Sequence, residues 1–128
     1  FDNDTNHTFT NTLKFLQRNN ICTVSFNVLT PYPGTKTFAQ MEAEGRLLHK
    51  NWKKYDHNTV VFQPKNMSPL ELQAGKTFTR RKFYSLHSVF TRFWGNLYSP
   101  VLYMAMNIGH IKQSKIEVKR FKEMKKKN

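Results

Sequence analysis

The chain has 128 residues, a length that suits one domain whose core buries roughly two-thirds of the unfolded chain's surface. Its 21 Lys and Arg against 8 Asp and Glu give a net charge of +13, which favours acidic partners such as nucleic acid or an anionic surface. A single cysteine, Cys22, excludes an internal disulfide framework and any multi-cysteine zinc or iron–sulfur site built from this chain alone. One cysteine also fits a reducing, cytoplasmic setting.

Most of the positive charge lies in the second half of the chain. Residues 1–64 hold seven basic and five acidic side chains, a net charge of +2, whereas residues 65–128 hold fourteen and three, a net charge of +11.

The mildly apolar run at 101–111 is far shorter than the roughly 20 residues that span a bilayer, so no transmembrane segment is expected. The chain begins with Phe1 and not with methionine, and we expect it to be a piece of a longer protein.

The first 48 residues follow an α/β pattern. Apolar residues at helical spacing predict a helix of about three turns, with Asp4 or Thr5 as its cap. The run ICTVSFNVL at 21–29 is apolar and β-branched without strict alternation, which predicts a strand buried on both faces of a parallel sheet. Because a helix that leads into such a strand is half of a βαβ unit, the partner strand would precede Phe1.

The stretch LTPYPGTKTF at 29–38 predicts a stiff turn between that strand and a short helix. Two prolines restrict their own backbone and that of the residues before them. Gly34 permits a positive φ, Thr35 can cap the helix, and Gly45 can end it. Because ligands bind at the carboxyl ends of parallel strands, the turn is a candidate wall of a binding site. The alternative is a rigid connector.

The second half is predicted to be helical after a short strand at 59–64. The pattern SPLE at 68–71 is that of a capping box with proline at the first helical position. The helix it begins should continue to about residue 96, with one apolar stripe that includes several aromatic residues. A last helix is expected from about Pro100 into a lysine-rich tail that frays.

The aromatic residues of the long helix, together with its lysines and arginines, have two interpretations. Aromatic faces can stack on bases while cations neutralise phosphates, as in a nucleic-acid interface. The same aromatic residues fall on the stripe that a packed core would occupy. Both interpretations stay open, and so does a solvated surface or an anionic partner for the lysine tail.

Motifs of hydrolytic and metal chemistry are absent from the sequence. The five histidines never recur at i, i+4 spacing, and no Gly-x-Ser-x-Gly elbow, Walker loop or dinucleotide fingerprint is present. Asp56, between Tyr55 and His57, could serve acid–base chemistry. It fits a turn that caps the next strand at least as well.

A series of motifs covers roughly residues 1–90: FDNDT, SFNVLTPYPGT, MEAEGRLL, NWKKYD, VVFQPKNMSPLEL and FYSLHSVF. In this order they resemble the C-terminal part of radical S-adenosylmethionine (SAM) enzymes, of the class that carries an N-terminal cobalamin-binding domain. The resemblance implies an α/β fold, with the last helix and strand of a partial (β/α)6 TIM-like barrel at 1–48. A family-specific, mainly helical extension would follow at 49–97, and a basic helix and tail at 98–128.

The resemblance also assigns candidate site residues. The residues that would border the cofactor are Phe1, Asp2, Asp4, Thr5, Asn27, Leu29 and Thr30. The residues that would wall the substrate pocket are Pro31, Tyr32, Pro33, Gly34, Thr35, Trp52, Tyr55 and Asp56.

In this family a [4Fe–4S] cluster on a CxxxCxxC loop cleaves SAM to a 5′-deoxyadenosyl radical. This chain has no such loop, so the resemblance implies a segment that is not catalytic alone and that binds no cofactor alone. SAM, the [4Fe–4S] cluster and cobalamin would belong to the full-length parent, and the partner would be the missing N-terminal half of the barrel. The alternative function is a small basic module that binds RNA or an anionic surface.

Overall fold

The computed structural model describes residues 3–127, and helices make up 62% of them. The five α-helices, separated by irregular segments and two short 3₁₀ turns at Trp52–Lys54 and Trp94–Asn96, are α1 (Asn6–Arg18), α2 (Lys36–Ala43), α3 (Pro69–Phe83), α4 (Leu86–Phe93) and α5 (Pro100–Lys127). Helix α3 lies at the centre, since it packs against α1, α4 and α5. In the described part of the chain, no helix combines the length and apolarity needed to cross a membrane.

The predicted α/β barrel fragment is wrong. Residues 3–127 contain no strand and no sheet, and the runs at 21–29 and 59–64 are irregular segments. A single antiparallel bridge joins Leu47 to Phe62. An apolar, β-branched run forms a strand only where a neighbouring chain segment supplies backbone partners. The run at 59–64 keeps two such backbone hydrogen bonds, from the Leu48 amide to the Val61 carbonyl and from the Gln63 amide to the Arg46 carbonyl, whereas at 21–24 polar side chains bond to the backbone.

The segment that follows α1 is held by side chains of α4 and of the turn before it. The Tyr84 hydroxyl accepts a hydrogen bond from the Val24 amide at 3.0 Å and donates to the Val24 carbonyl at 2.8 Å. Arg92 donates to the carbonyls of Ile21 at 2.6 Å and Cys22 at 2.9 Å. These bonds satisfy backbone groups that a sheet would otherwise pair.

Two hydrophobic clusters form the core. In the first, buried Leu13 and Leu16 of α1 pack with Phe83 and Tyr84. The second lies beneath α2 and contains the buried residues Val28, Met41, Val60 and Phe62. Residues 26–28 therefore run from one cluster to the other, because Phe26 packs against the first and Val28 belongs to the second.

The predicted helix ends are confirmed at several positions. Thr5 precedes α1, and its amide donates to the Thr8 hydroxyl at 3.2 Å. Ser68 and Glu71 form a capping box: the Ser68 hydroxyl accepts from the Glu71 amide, and the Glu71 carboxylate accepts from the Ser68 amide. Gly45 adopts φ 64° just after α2, which is the left-handed conformation that ends many helices.

The prediction of one helix from Ser68 to about residue 96 is wrong, because α3 ends at Phe83 and a separate helix follows. The Ser85 hydroxyl accepts from the Ser88 amide at 3.3 Å and caps a new helix, α4. The break separates the aromatic stripe into two parts. Phe83 is fully buried, whereas Phe90 and Trp94 are exposed, so only part of the stripe is core.

Candidate functional site

A cavity of about 350 Å³ opens between α1, the segment at 26–29 and α3. Its volume is at the lower end of the range of roughly 300–1,000 Å³ that is usual for ligand sites. The walls are mostly apolar with a few polar side chains. The lining residues are Asp4, Thr8, Phe9, Thr12, Phe26, Asn27, Val28, Leu29, Phe62, Pro64, Met67, Leu72, Lys76 and Thr79.

The structure brings together three of the residues that the sequence assigned to the cofactor. Asp4, Asn27 and Leu29 all line this cavity, although Asp4 is more than twenty residues from the other two in the chain. Thr5 lies at the start of α1. Thr30 is buried, and its hydroxyl donates to the Val28 carbonyl at 3.3 Å. The remaining two predicted residues, Phe1 and Asp2, lie outside the described residues.

The cavity also contains a buried cation that the sequence reading missed. Lys76 is nearly inaccessible, and its ammonium lies 3.0 Å from a carboxylate oxygen of Glu117 on α5. It also donates to the carbonyl of Asn58 at 3.3 Å and to its side-chain oxygen at 3.1 Å. Arg80 contacts the second oxygen of Glu117 at 3.0 Å. The Lys76 charge therefore ties α3 to α5 and to the loop at Asn58.

Burial governs the protonation of Lys76. Removal from water lowers the pKa of Lys76 below its ordinary value of 10.5, while the carboxylate of Glu117 acts in the opposite direction. Desolvation disfavours the charged form, and the carboxylate of Glu117 partly offsets this effect. A signal for it was present in the sequence, because Leu72, Lys76, Thr79 and Phe83 recur at the spacing of one helical face.

The loop at 31–35 forms the stiff turn that its prolines and glycine predict. Pro31 is fully buried, and Gly34 adopts φ 84°, a conformation that favours glycine. The Thr35 hydroxyl accepts from the Phe38 amide at 3.2 Å and donates to the Tyr32 carbonyl at 2.7 Å. It thereby caps α2 and closes the turn.

Aromatic side chains from this loop and from the 3₁₀ turn at Trp52–Lys54 form a cluster beside α2. The Tyr32 hydroxyl donates to the Tyr55 carbonyl at 2.9 Å and lies 3.1 Å from Nε2 of His57. The rings of Trp52 and Tyr55 have centroids 5.0 Å apart, and Phe38 lies 6.2 Å from Trp52. The structure therefore brings together Tyr32, Trp52 and Tyr55, three residues assigned to the substrate pocket.

Asp56 stabilises the turn that follows it through hydrogen bonds to the backbone. One of its carboxylate oxygens accepts from the amides of Asn58 and Thr59, each at 3.0 Å. Burial acts to raise the pKa of Asp56, but these amide hydrogen bonds outweigh it and hold the pKa below its ordinary value. A carboxylate that stays ionised and engaged in its own turn is poorly placed to exchange a proton with a substrate.

The aromatic cluster and the cavity meet along one stretch of backbone. The Val28 amide donates to the His57 carbonyl at 2.8 Å, and Val28 lines the cavity while His57 stacks edge-on against Tyr32 at 5.5 Å. The cavity wall at 26–29 is therefore continuous with the loop at 31–35. The two sets of predicted residues lie on neighbouring parts of one surface.

The donor set of this surface suits an organic ligand better than a metal. Within residues 3–127, no group of three or more His, Cys, Asp and Glu side chains could hold a metal ion. Cys22 is half-buried, and its carbonyl accepts hydrogen bonds from Arg92 and Asn107. Apolar and aromatic walls with one carboxylate and one amide can enclose an uncharged ring and accept hydrogen bonds from hydroxyl groups.

Comparison with known proteins relates the chain to two methyltransferases of Chlorobaculum tepidum. It is 33% identical over 95 residues to the bacteriochlorophyllide d C-12(1)-methyltransferase, covering 74% of this chain and 20% of that protein. It is 25% identical over 118 residues to the bacteriochlorophyllide d C-8(2)-methyltransferase, covering 91% of this chain and 26% of that protein. No family model and no solved structure matches the chain.

The chain spans about a fifth to a quarter of the length of these two relatives. It is therefore a distant homologue of one segment of each. The matched region includes most of the described structure, since it covers 74% and 91% of this chain.

Proposed function

We propose that the chain is a segment of a SAM-dependent methyltransferase of the radical SAM class, and that it completes a cofactor and substrate pocket without being catalytic alone. The observation that carries the proposal is the similarity of most of this chain to two bacteriochlorophyllide methyltransferases. The motif series that resembles radical SAM enzymes supports the same assignment from the sequence itself.

The cavity between α1 and α3 is the proposed place of the cofactor. Its aromatic and aliphatic walls would enclose the adenine ring, which is flat and has π-faces that suit stacking. Asp4 and Asn27 would bind the ribose, because a carboxylate and an amide oxygen both accept hydrogen bonds from hydroxyl groups. SAM supplies the methyl group when it is bound. The residues of this chain would hold and orient it.

The aromatic cluster is the proposed wall of the substrate pocket. Both relatives are named for bacteriochlorophyllide, a flat macrocycle, and exposed aromatic faces such as those of Tyr32 and Trp52 suit stacking against a ring of this kind. The hydrogen bonds of Tyr32 and Thr35 hold this wall in one position. We propose a tetrapyrrole as the substrate class.

The residues of this chain do not fit an iron–sulfur cluster, which needs several thiolates, whereas the chain has only Cys22. We therefore assign a [4Fe–4S] cluster and cobalamin to other parts of the parent protein. The partner of this segment would be the remainder of the parent. Methyl transfer by the isolated chain is not expected.

Isothermal titration calorimetry of the chain with SAM tests the proposal. The resemblance implies that the chain alone binds no cofactor, but the cavity supplies part of the contacts of a pocket, so we propose weak binding with a Kd of about 1 mM, which corresponds to roughly −4 kcal/mol. Asn27→Ala should weaken this binding, since it removes a polar group of the cavity. Asn11→Ala is the matched control, because Asn11 is exposed on α1 and does not line the cavity.

The two variants must keep the circular dichroism spectrum of the parent chain for the comparison to count. Weaker binding by Asn27→Ala together with unchanged binding by Asn11→Ala supports the proposal. Equal binding by both variants, or no heat of binding up to the solubility limit of SAM, contradicts it.

A further inference from the structure

Helices α4 and α5 form a face that neither the cavity nor the aromatic cluster uses. A groove of about 700 Å³ runs between them. It is almost wholly apolar, and its lining residues are Leu86, His87, Val89, Phe90, Phe93, Met104, Ile108 and Ile111. Monomeric soluble proteins rarely expose a contiguous apolar surface of this kind without a partner.

The apolar side chains of this face reach far into the solvent. Leu86 is 76% exposed, Phe90 and Trp94 are each 64% exposed, and Val101 is 82% exposed. Tyr98 is fully exposed at the corner between the two helices. The corner therefore protrudes and does not form a closed pocket for a small molecule. We call Leu86, Phe90, Trp94, Tyr98, Val101 and Ile108 the apolar corner.

Most of the apolar corner lies in an uncharged stretch of the sequence with basic residues before and after it. From Phe93 to Ile111 the sequence has no Lys, Arg, Asp or Glu, and no acidic residue lies between Glu71 and Glu117. Arg92 directly precedes this charge-free run, and Arg80, Arg81 and Lys82 lie further towards the N-terminus. Lys112 and Lys115 follow on the other side.

The basic residues adjoin the apolar groove in space. A second, open cleft of about 880 Å³ shares Leu86, His87 and Ile111 with the groove and is lined by four cations, Lys14, Arg81, Lys82 and Lys115. No acidic side chain lines this cleft. Nearby Glu117 does not cancel the charge, because it faces inward to Lys76 and Arg80.

One face of α5 carries both features. Met104, Ile108 and Ile111 recur at helical spacing and line the groove, and Lys115 and Lys122 continue the same stripe. At a rise of about 1.5 Å per residue, Met104 and Lys115 lie roughly 16 Å apart along the helix. Apolar and basic side chains therefore lie next to each other on one surface, and these are the two features by which a protein surface binds an anionic membrane.

From this arrangement we infer that the α4–α5 face binds the surface of an anionic lipid bilayer. The apolar corner inserts among the lipid acyl chains at the headgroup level, and the lysines and arginines of the adjoining cleft contact the lipid phosphates. Trp94 and Tyr98 suit this depth, because amphipathic rings concentrate at the membrane–water interface. The inference does not depend on the function proposed above.

Vesicle binding of the full chain tests the inference. Vesicles of phosphatidylcholine with phosphatidylglycerol are compared with vesicles of phosphatidylcholine alone. In a Trp52→Phe background Trp94 is the sole tryptophan, and its emission should shift to the blue on the anionic vesicles. Added salt should weaken binding, since screening reduces the attraction between the lysines and the phosphates.

Two matched pairs of variants assign the binding to this face. Phe90→Ser should abolish the blue shift, whereas Phe15→Ser, a change of a phenylalanine 63% exposed on α1, should leave it intact. Lys115→Glu should weaken binding at least roughly fivefold, since one basic residue near an anionic leaflet contributes on this scale. Lys53→Glu, an exposed charge on the 3₁₀ turn, is the matched control.

Three outcomes would overturn the inference. The first is equal binding to neutral and anionic vesicles. The second is binding of single-stranded RNA that Phe90→Ser abolishes, with no binding to vesicles. The third is a concentration-dependent dimer that shields Trp94 and excludes vesicles.

Discussion

The hydroxyl of Tyr84 makes two hydrogen bonds to Val24, one with its amide at 3.0 Å and one with its carbonyl at 2.8 Å. These are the two backbone groups through which a strand residue pairs with its neighbour. A side chain sixty residues away in sequence thus satisfies part of the segment that the sequence predicts to be a strand. The segment keeps its position beside the core without a sheet.

Tyr84→Phe should destabilise the chain by about 1–3 kcal/mol, because it leaves a partly buried amide and carbonyl without partners. The measurement is urea denaturation followed by circular dichroism, and the control is Tyr98→Phe, a change at a fully exposed ring. A loss of stability no greater in Tyr84→Phe than in Tyr98→Phe would show that these bonds contribute nothing.

Arg92→Met should cost at least about 3 kcal/mol of folding free energy, since a buried group that donates several charge-assisted hydrogen bonds is lost. Arg92 donates to three carbonyls and lies 3.7 Å over the ring of Phe83. Arg92→Lys should not restore stability, because an ammonium cannot reproduce the fork of the guanidinium. Thermal denaturation of both variants beside Arg120→Met, an exposed control, checks this. Full rescue by lysine would refute the geometric part of the prediction.

Glu117→Gln should destabilise the chain by roughly 3–5 kcal/mol, because it leaves the buried ammonium of Lys76 without its compensating charge. Glu123→Gln on the exposed face of α5 is the matched control and should change stability little. Urea denaturation of both variants at neutral pH measures the difference. Equal stability of the two variants would mean that Lys76 does not depend on Glu117.

Stability should fall as the pH drops below about 6.5, the ordinary pKa of histidine. Burial of His110 against Tyr84 at 4.7 Å, assisted by the positive charge of Arg80, lowers the pKa of His110 in the folded chain. The unfolded chain then binds the proton first, so acid favours unfolding until the folded-state pKa is reached. Melting temperatures from pH 7.5 to 5 should show this step, and His110→Phe should remove it. An unchanged step in the variant would assign it to another histidine.

Local signals in the sequence predict much of the helical structure and little of the tertiary arrangement. Caps at Ser68 and Thr35 and the stop at Gly45 act within one turn of the chain, and the structure confirms them. The strand at 21–29 was predicted wrongly because its apolar, β-branched composition indicated a segment buried on both faces of a sheet, whereas Val28 is the one residue of this segment that is buried in the structure.

The break after Phe83 was missed for a related reason. The apolar stripe continues in phase across Tyr84 and Ser85, and a serine inside a periodic run gives no clear stop signal. The separate helices place Tyr84 and Arg92 against residues 21–24. These contacts join residues about sixty to seventy positions apart, a distance over which local periodicity carries no information.

The candidate site shows the same division. The family resemblance selected Asp4, Asn27 and Leu29, which line one cavity. Lys76 lines the same cavity but was not predicted, because lysine side chains are usually exposed to solvent. The buried ammonium pairs with Glu117, forty-one positions further along the chain (117 minus 76). Only the packing of α3 against α5 reveals that pair.

The central claim is that the cavity between α1 and α3 binds SAM, and its location is tested most directly by amide nuclear magnetic resonance. The spectrum of the isotope-labelled chain is recorded during titration with SAM. We expect the largest shift changes at residues 26–29 and at Thr8 and Thr12, which line the cavity, and none at the exposed apolar corner of α4 and α5. Shift changes confined to other surfaces, or no change at any SAM concentration, would contradict the account.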